Sequence, residues 1–222
     1  RYGGYGRPAS NQLSQSGPMS RTVADTALLL QVLSGSDLRD PTSVREAPAD
    51  YTQNLNGGVK GWRIAWSSDF GYAGVDPEVL QVTEQAARVF EELGASVEEP
   101  NLTLEDPFSA FFDIFATGTY AAYGHLLEQH RDDFTHYVLR TLEHAATLTA
   151  ADFSRALLRV DQLRRQMEIF FDRYDLLLSP TMPVTAFPIG QRPTVIGGKE
   201  VDPFWGYVPF TFPINMTGQT AS

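Results

Sequence analysis

Trp62-Arg63-Ile64-Ala65-Trp66, then Asp76-Pro77 opening a run in which Val79, Val82, Ala86, Val89 and Leu93 recur at helical spacing up to Gly94, then Ser96-Val97-Glu98: this succession decides the fold. The outer pieces read as strands, the first by its alternation. Between them Asp76 is a helix cap and Pro77 a first-turn proline, where the missing N–H has no intrahelical partner to lose. Strand, helix and strand in succession make a βαβ unit, and strands joined in that way lie parallel with a right-handed crossover. The expected class is α/β.

Outward from this unit, residues 1–20 carry Gly3, Gly4, Gly6, Pro8, Gly17 and Pro18, a composition that suits a loop. A helix is expected next, capped by Ser20, with Val23, Ala27 and Leu30 on its apolar face and Gly35 as its stop. A polar stretch then runs to Gly61. Beyond the unit, residues 107–173 read as mainly helical, with breaks near Gly118, Gly124 and Thr147. Asp175 to Ser179 is a short buried strand, and Pro180 to Pro213 is rich in proline, glycine and aromatic residues.

The 222 residues are 42% hydrophobic and 12% aromatic, enough to bury a core as one domain or a large part of one. A formal net charge of −10 without a basic block disfavours nucleic acid and anionic membranes as partners. No apolar run approaches the length of a bilayer span. The chain has no cysteine, which removes disulfides and thiolate chemistry and is compatible with a reducing cytoplasm, the expected location.

Several constellations invite a function and resist it. His125, His130, His136 and His144 crowd one region, but their spacings cannot place ligands on one helix face, so no metal is expected. Gly4-Tyr5-Gly6-Arg7-Pro8-Ala9 mimics a dinucleotide fingerprint with no strand before it. Glu91, Glu92, Glu98 and Glu99 bracket a helix end and a strand, as a solvated edge does. Phe108, Phe111, Phe112, Phe115, Tyr120 and Tyr123 form an aromatic band whose default reading is core packing and whose functional reading is a substrate wall.

Five separated anchors together resemble the amidase signature family. They are Gly17-Pro18-Met19-Ser20-Arg21-Thr22-Val23; Arg39-Asp40-Pro41-Thr42-Ser43; Lys60-Gly61-Trp62-Arg63-Ile64-Ala65; Arg164 followed by Tyr174-Asp175-Leu176-Leu177-Leu178-Ser179-Pro180-Thr181-Met182-Pro183; and Phe212-Pro213-Ile214-Asn215-Met216-Thr217-Gly218-Gln219. They stand in the family's order. The resemblance implies a mixed twisted sheet covered by helices on both faces, of which residues 1–222 would be the C-terminal portion of a single domain. It also implies acyl transfer by a nucleophilic serine, a relaying cis-serine and an unprotonated lysine, residues expected upstream of this chain.

A lysine base must be desolvated to lose its proton near neutral pH. Lys60 and Lys199, the two lysines, stand beside glycines in polar, turn-like surroundings, and neither is expected to serve. No residue of the chain is therefore expected to be catalytic, and no cofactor is implied. Arg140 is the expected substrate-binding residue. It falls where the resemblance to the glutaminase subunit of tRNA-dependent amidotransferases places an arginine that holds a substrate carboxylate, a task for a bidentate guanidinium. That glutaminase has an acidic residue where this chain has Val208, and many family members differ from it at Ser14 and Thr220.

The leading expectation is part of an amidase that hydrolyses a small-molecule carboxamide to a carboxylate and ammonia or an amine. The rivals are the glutaminase component of a tRNA-dependent amidotransferase and a non-catalytic α/β binding module. The expected partners are the small-molecule amide and the upstream part of the same protein, with a homodimer left open.

Overall fold

A computed structural model describes residues 13, 15, 17–38, 43, 45–53 and 55–221. The Gly4–Ala9 motif, Ser14 and most of the Arg39–Ser43 anchor lie outside the described residues. The central strand is β1 (Arg63–Trp66), and β2 (Ser96–Glu98) and β3 (Leu176–Leu178) flank it in the order β2-β1-β3. Both pairings are parallel, with Ile64 opposite Val97 on one side and opposite Leu176 on the other. The βαβ unit is present as expected. Ile64, Ala65 and Trp66 are buried in succession, because a central parallel strand is covered on both faces, so the alternation read into this segment is not what places it. The antiparallel pairing among the described residues is confined to a separate hairpin of β4 (Val195–Ile196) and β5 (Lys199–Glu200).

Helix α1 (Val23–Leu33) is capped by Thr22, whose hydroxyl accepts from the Asp25 N–H at 3.1 Å. Ser20 instead donates to the Thr22 carbonyl at 2.7 Å and meets the Thr26 hydroxyl. Only Ala27 of the helix is buried, and Val23, Leu28, Leu29, Val32 and Leu33 are exposed. Helix α2 (Pro77–Glu92) begins at Asp76, whose carboxylate accepts from the Glu78 N–H at 2.9 Å, as its sequence indicates. Its expected apolar face is wrong in position. Ala87 is buried with Leu80, Thr83 and Phe90 partly covered beside it, whereas Val82, Val89 and Leu93 stand in solvent. The helix carries apolar residues on more than one face, and the sheet covers only one of them.

The helical lobe is built from α3 (Phe108–Tyr123), α4 (His136–Thr147), α5 (Ala150–Phe171) and the short α6 (Phe212–Thr217). Helix α3 continues through the buried Gly118 instead of breaking there. Glycine costs a helix about 1 kcal/mol relative to alanine, and packing of α3 on α4 and α5 exceeds that. The breaks at Gly124 and Thr147 occur, and Thr149 with Asp152 makes a reciprocal capping box at the start of α5. The core of the lobe joins Phe111, Phe112 and Ile114 of α3 to Val160, Leu163 and Met167 of α5 and to Phe210, Phe212 and Met216.

Candidate functional site

The aromatic band divides. Phe111 and Phe112 are buried, Phe108 and Phe115 pack against the core, and Tyr120 and Tyr123 face solvent. Where α3 and α4 meet the turn at residues 202–206, these rings join an aromatic cluster. The Trp205 ring stands edge-on to Phe111 at 5.0 Å and to Phe115 at 5.1 Å, with Tyr137 of α4 at 6.0 Å. Phe204 packs beside Tyr137 at 5.4 Å. The Trp205 indole N–H is buried without an acceptor among the described residues.

Asp202 builds that turn. One carboxylate oxygen accepts from the Phe204 and Trp205 N–H groups at 2.8 and 3.1 Å, and the Asp202 carbonyl accepts from the Gly206 N–H at 2.7 Å. Gly206 is required by the close approach: a Cβ there would lie 2.4 Å from the Val201 Cβ and 2.7 Å from the Asp202 carbonyl oxygen. The second carboxylate oxygen of Asp202 takes Arg140 Nη2 at 2.5 Å, which ties the turn to α4.

Arg140, the expected substrate-binding residue, thus lies against this cluster and already has a protein carboxylate. Its guanidinium carbon is 5.3 Å from the Phe204 ring centre and 5.9 Å from that of Phe112. Its other N–H groups have no protein acceptor among the described residues. Sequence reading missed Asp202, although Asp-Pro before an aromatic pair is a turn signal. Its pairing with a residue 62 positions away is not a local property.

Burial pushes the Asp202 carboxyl up, but the Arg140 hydrogen bond, the two turn amides and the arginine charge outweigh it and hold the group below its ordinary range. A carboxyl depressed by folding contributes its stability above the ordinary aspartate value of about 4, and loses it as pH falls through the lowered value. Wild-type and Asp202→Asn protein are expected to differ in unfolding free energy by about 1 kcal/mol near neutral pH. Denaturation curves taken at successively lower pH should show the two converging. A difference that persists into strong acid would assign the contribution to packing.

The other residues singled out in the sequence lie elsewhere. Lys199 Nζ donates to the Tyr72 and Ala73 carbonyls at 3.0 and 3.1 Å and so fastens the hairpin to the loop after β1. Lys60 lies in a turn beside Gly94. His144 Nε2 meets Asp113 at 2.7 Å between α4 and α3, His130 pairs with Asp133, and His136 lies 6.0 Å from the Phe204 ring, so the histidines are dispersed. Glu98 is more than solvated edge. Tyr174 donates to it at 3.0 Å and Arg63 pairs with it at 3.2 Å, and the Tyr174 hydrogen bond, followed by that of Arg63, lowers its carboxyl.

A concavity of about 250 Å³ opens elsewhere, at the carboxyl ends of β1 and β2, with Ser67, Asp69, Asn101 and Thr103 in its lining. Beneath it Phe70 adopts φ 53°, a left-handed conformation that costs a non-glycine residue about 1–3 kcal/mol. The conformation is held by the Ser67 hydroxyl accepting the Phe70 N–H at 3.1 Å, by Leu104 N–H on the Phe70 carbonyl at 2.8 Å, and by the ring edge against Phe210.

Comparison with known proteins bears on this geometry. The family model described as Amidase matches residues 1–222. The chain is 36% identical to an acylamidase of Rhodococcus erythropolis over 92% of the chain and 44% of that protein. It is 32% identical to the A subunit of a glutamyl-tRNA(Gln) amidotransferase from Alkalilimnicola ehrlichii over 96% of the chain and 49% of that protein. Among solved structures it resembles a bacterial aryl acylamidase of the amidase signature enzymes, with TM-score 0.80 and 33% identity over 91% of the chain and 44% of that structure. The chain spans about half the length of the curated relatives it matches. Its α/β class and the family's fold agree with these likenesses.

Proposed function

The chain belongs to the amidase family, and from that premise we propose that it is the C-terminal part of an amide hydrolase for small-molecule carboxamides, supplying one wall of the substrate pocket. The observation that carries this reading is the aromatic cluster between α3, α4 and the 202–206 turn, with Arg140 packed against it. The reacting groups of such an enzyme are a serine that attacks the amide carbonyl, a second serine that relays its proton and a lysine that receives it. The nitrogen leaves as ammonia or amine, and water releases the carboxylate from the acyl-enzyme. In this reading they belong to sequence upstream of the chain. The exposed apolar residues of α1 and α2, among them Leu28, Val32, Val82 and Leu93, are surfaces for that part to cover.

Arg140 is the substrate contact in this proposal. One N–H edge is held by Asp202, and the remaining N–H groups face an acyl or amine oxygen. A half-neutralised guanidinium over Phe204 and Phe112 suits a neutral, aromatic amide. Val208, apolar where the amidotransferase glutaminase carries an acid, favours the stand-alone hydrolase over that rival.

The test is the full-length protein assayed without companion proteins on benzamide, anilides and glutamine. Hydrolysis of the aryl amides, abolished by a serine-directed phosphonate and weakened by Arg140→Ala, is expected. Activity confined to glutamine in the presence of companion proteins and charged tRNA would transfer the protein to the amidotransferase branch. No covalent trapping and no turnover of any amide would leave a binding module.

A further inference from the structure

Arg192 lies in the segment that leads into β4, and its guanidinium carbon is 4.8 Å from the Phe204 ring centre and 6.0 Å from that of Tyr207. Phe204 therefore serves two arginines, since Arg140 lies 5.3 Å from the same ring centre. The two are not equivalent. Arg140 has the Asp202 carboxylate at 2.5 Å, whereas among the described residues no carboxylate lies within ion-pair distance of Arg192. Two guanidiniums and one carboxylate leave this rim with one uncompensated positive charge, in a chain whose formal net charge is −10.

Aromatic surface surrounds that charge. Tyr207 is edge-on to Phe187 at 5.3 Å, and Tyr137 and His136 of α4 lie 5.4 and 6.0 Å from Phe204. The Tyr137 hydroxyl, raised first by burial, is also within the electrostatic reach of Tyr207, Arg192 and Arg140. An arginine that rests on rings and has no carboxylate partner among the described residues has its N–H groups to offer, and the guanidinium fork matches a carboxylate in two parallel hydrogen bonds. A carboxylate so held is coplanar with the guanidinium. An aryl group attached to it continues the stack beside Phe204 and Tyr207 instead of projecting into water.

We propose that Arg192, with Phe204 and Tyr207, forms a subsite for an aryl carboxylate, so that the substrates of this pocket include amides bearing a carboxylate on an aromatic ring. The inference rests on the amide-hydrolase reading for its claim about substrates. It moves recognition of the charge from Arg140, already paired, to Arg192.

The experiment has two arms on the full-length protein. In the first, kcat/KM is measured for 4-carbamoylbenzoate and for benzamide with wild type, Arg192→Gln and Arg140→Gln. Arg192→Gln is expected to lower the ratio of the two values by about tenfold or more, the worth of a charge-assisted hydrogen bond, and Arg140→Gln to lower both values while leaving their ratio closer to wild type. A ratio unmoved by Arg192→Gln, or abolished by Arg140→Gln alone, overturns the proposal. In the second arm benzoate binding is titrated by calorimetry, with benzamide as the neutral control. Weaker benzoate binding by Arg192→Gln upholds the subsite even if no amide is hydrolysed, in which case it is the hydrolase reading that fails. No difference between the wild type and Arg192→Gln removes it.

Discussion

Purified as these 222 residues, the protein is expected to release no product from aryl or alkyl amides. A serine or threonine hydroxyl is a poor nucleophile until a base within hydrogen-bond reach takes its proton. Lys199 is committed elsewhere: its Nζ donates to two backbone carbonyls. Lys60 sits in a turn by Gly94 with no hydroxyl hydrogen-bonded to it among the described residues. His144, oriented by Asp113, has half of the arrangement a base requires, but no hydroxyl among the described residues hydrogen-bonds to its imidazole ring; the Thr147 hydroxyl donates to its backbone carbonyl instead. Removing all members of such a unit costs an enzyme several orders of magnitude in rate. The check is a sensitive ammonia or aniline release assay on the chain and on the full-length protein at equal concentration. Turnover by the 222 residues alone, abolished by a serine-directed phosphonate, would place a catalytic group in the chain.

Phe111→Ala is expected to be the most damaging single truncation in the helical lobe, destabilising the protein by about 3–5 kcal/mol. The side chain is 5% exposed and meets three rings: Phe212 stacked at 5.0 Å, Trp205 edge-on at 5.0 Å and Phe115 at 5.9 Å. These rings belong to α6, the 202–206 turn and α3, so the cavity cannot be filled by a shift of one element. Ring pairs also contribute beyond their buried area. Urea unfolding of wild type, Phe111→Leu and Phe111→Ala should give a graded loss, with leucine well short of alanine. A loss below about 1 kcal/mol for alanine would mean that the lobe collapses around the vacancy and that Phe111 does not anchor the aromatic cluster.

The likeness to acylamidases and to amidotransferase glutaminases was legible in short local motifs. Gly17 to Val23 and Phe212 to Gln219 are contiguous strings whose identity does not depend on where they fold. The βαβ unit was legible for the same reason: Asp76 and Pro77 act within one turn of helix, and the strands are bounded by turn residues on either side. The site was less legible. Arg140 could be singled out by its distance from Arg164, but its occupation by Asp202 and the approach of Arg192 to Phe204 join positions far apart in the chain. The β4–β5 hairpin was missed although Gly197-Gly198 is a strong turn signal, with φ of 55° and 78° in the structure.

By itself, then, the amino-acid sequence determined the α/β class, the cap of α2, the helix breaks at Gly124 and Thr147, and membership of the family, because each depends on neighbours in the chain. Only the tertiary structure decided that Leu80, Thr83, Ala87 and Phe90 rather than Val82 and Val89 are the covered side of α2, that Gly118 stays inside a helix, and that Arg140 is paired with a carboxylate while Arg192 meets none among the described residues. Burial is assigned by what another element brings against a face, and a charge is compensated by whichever carboxylate the fold carries to it. Neither is a property of the local string.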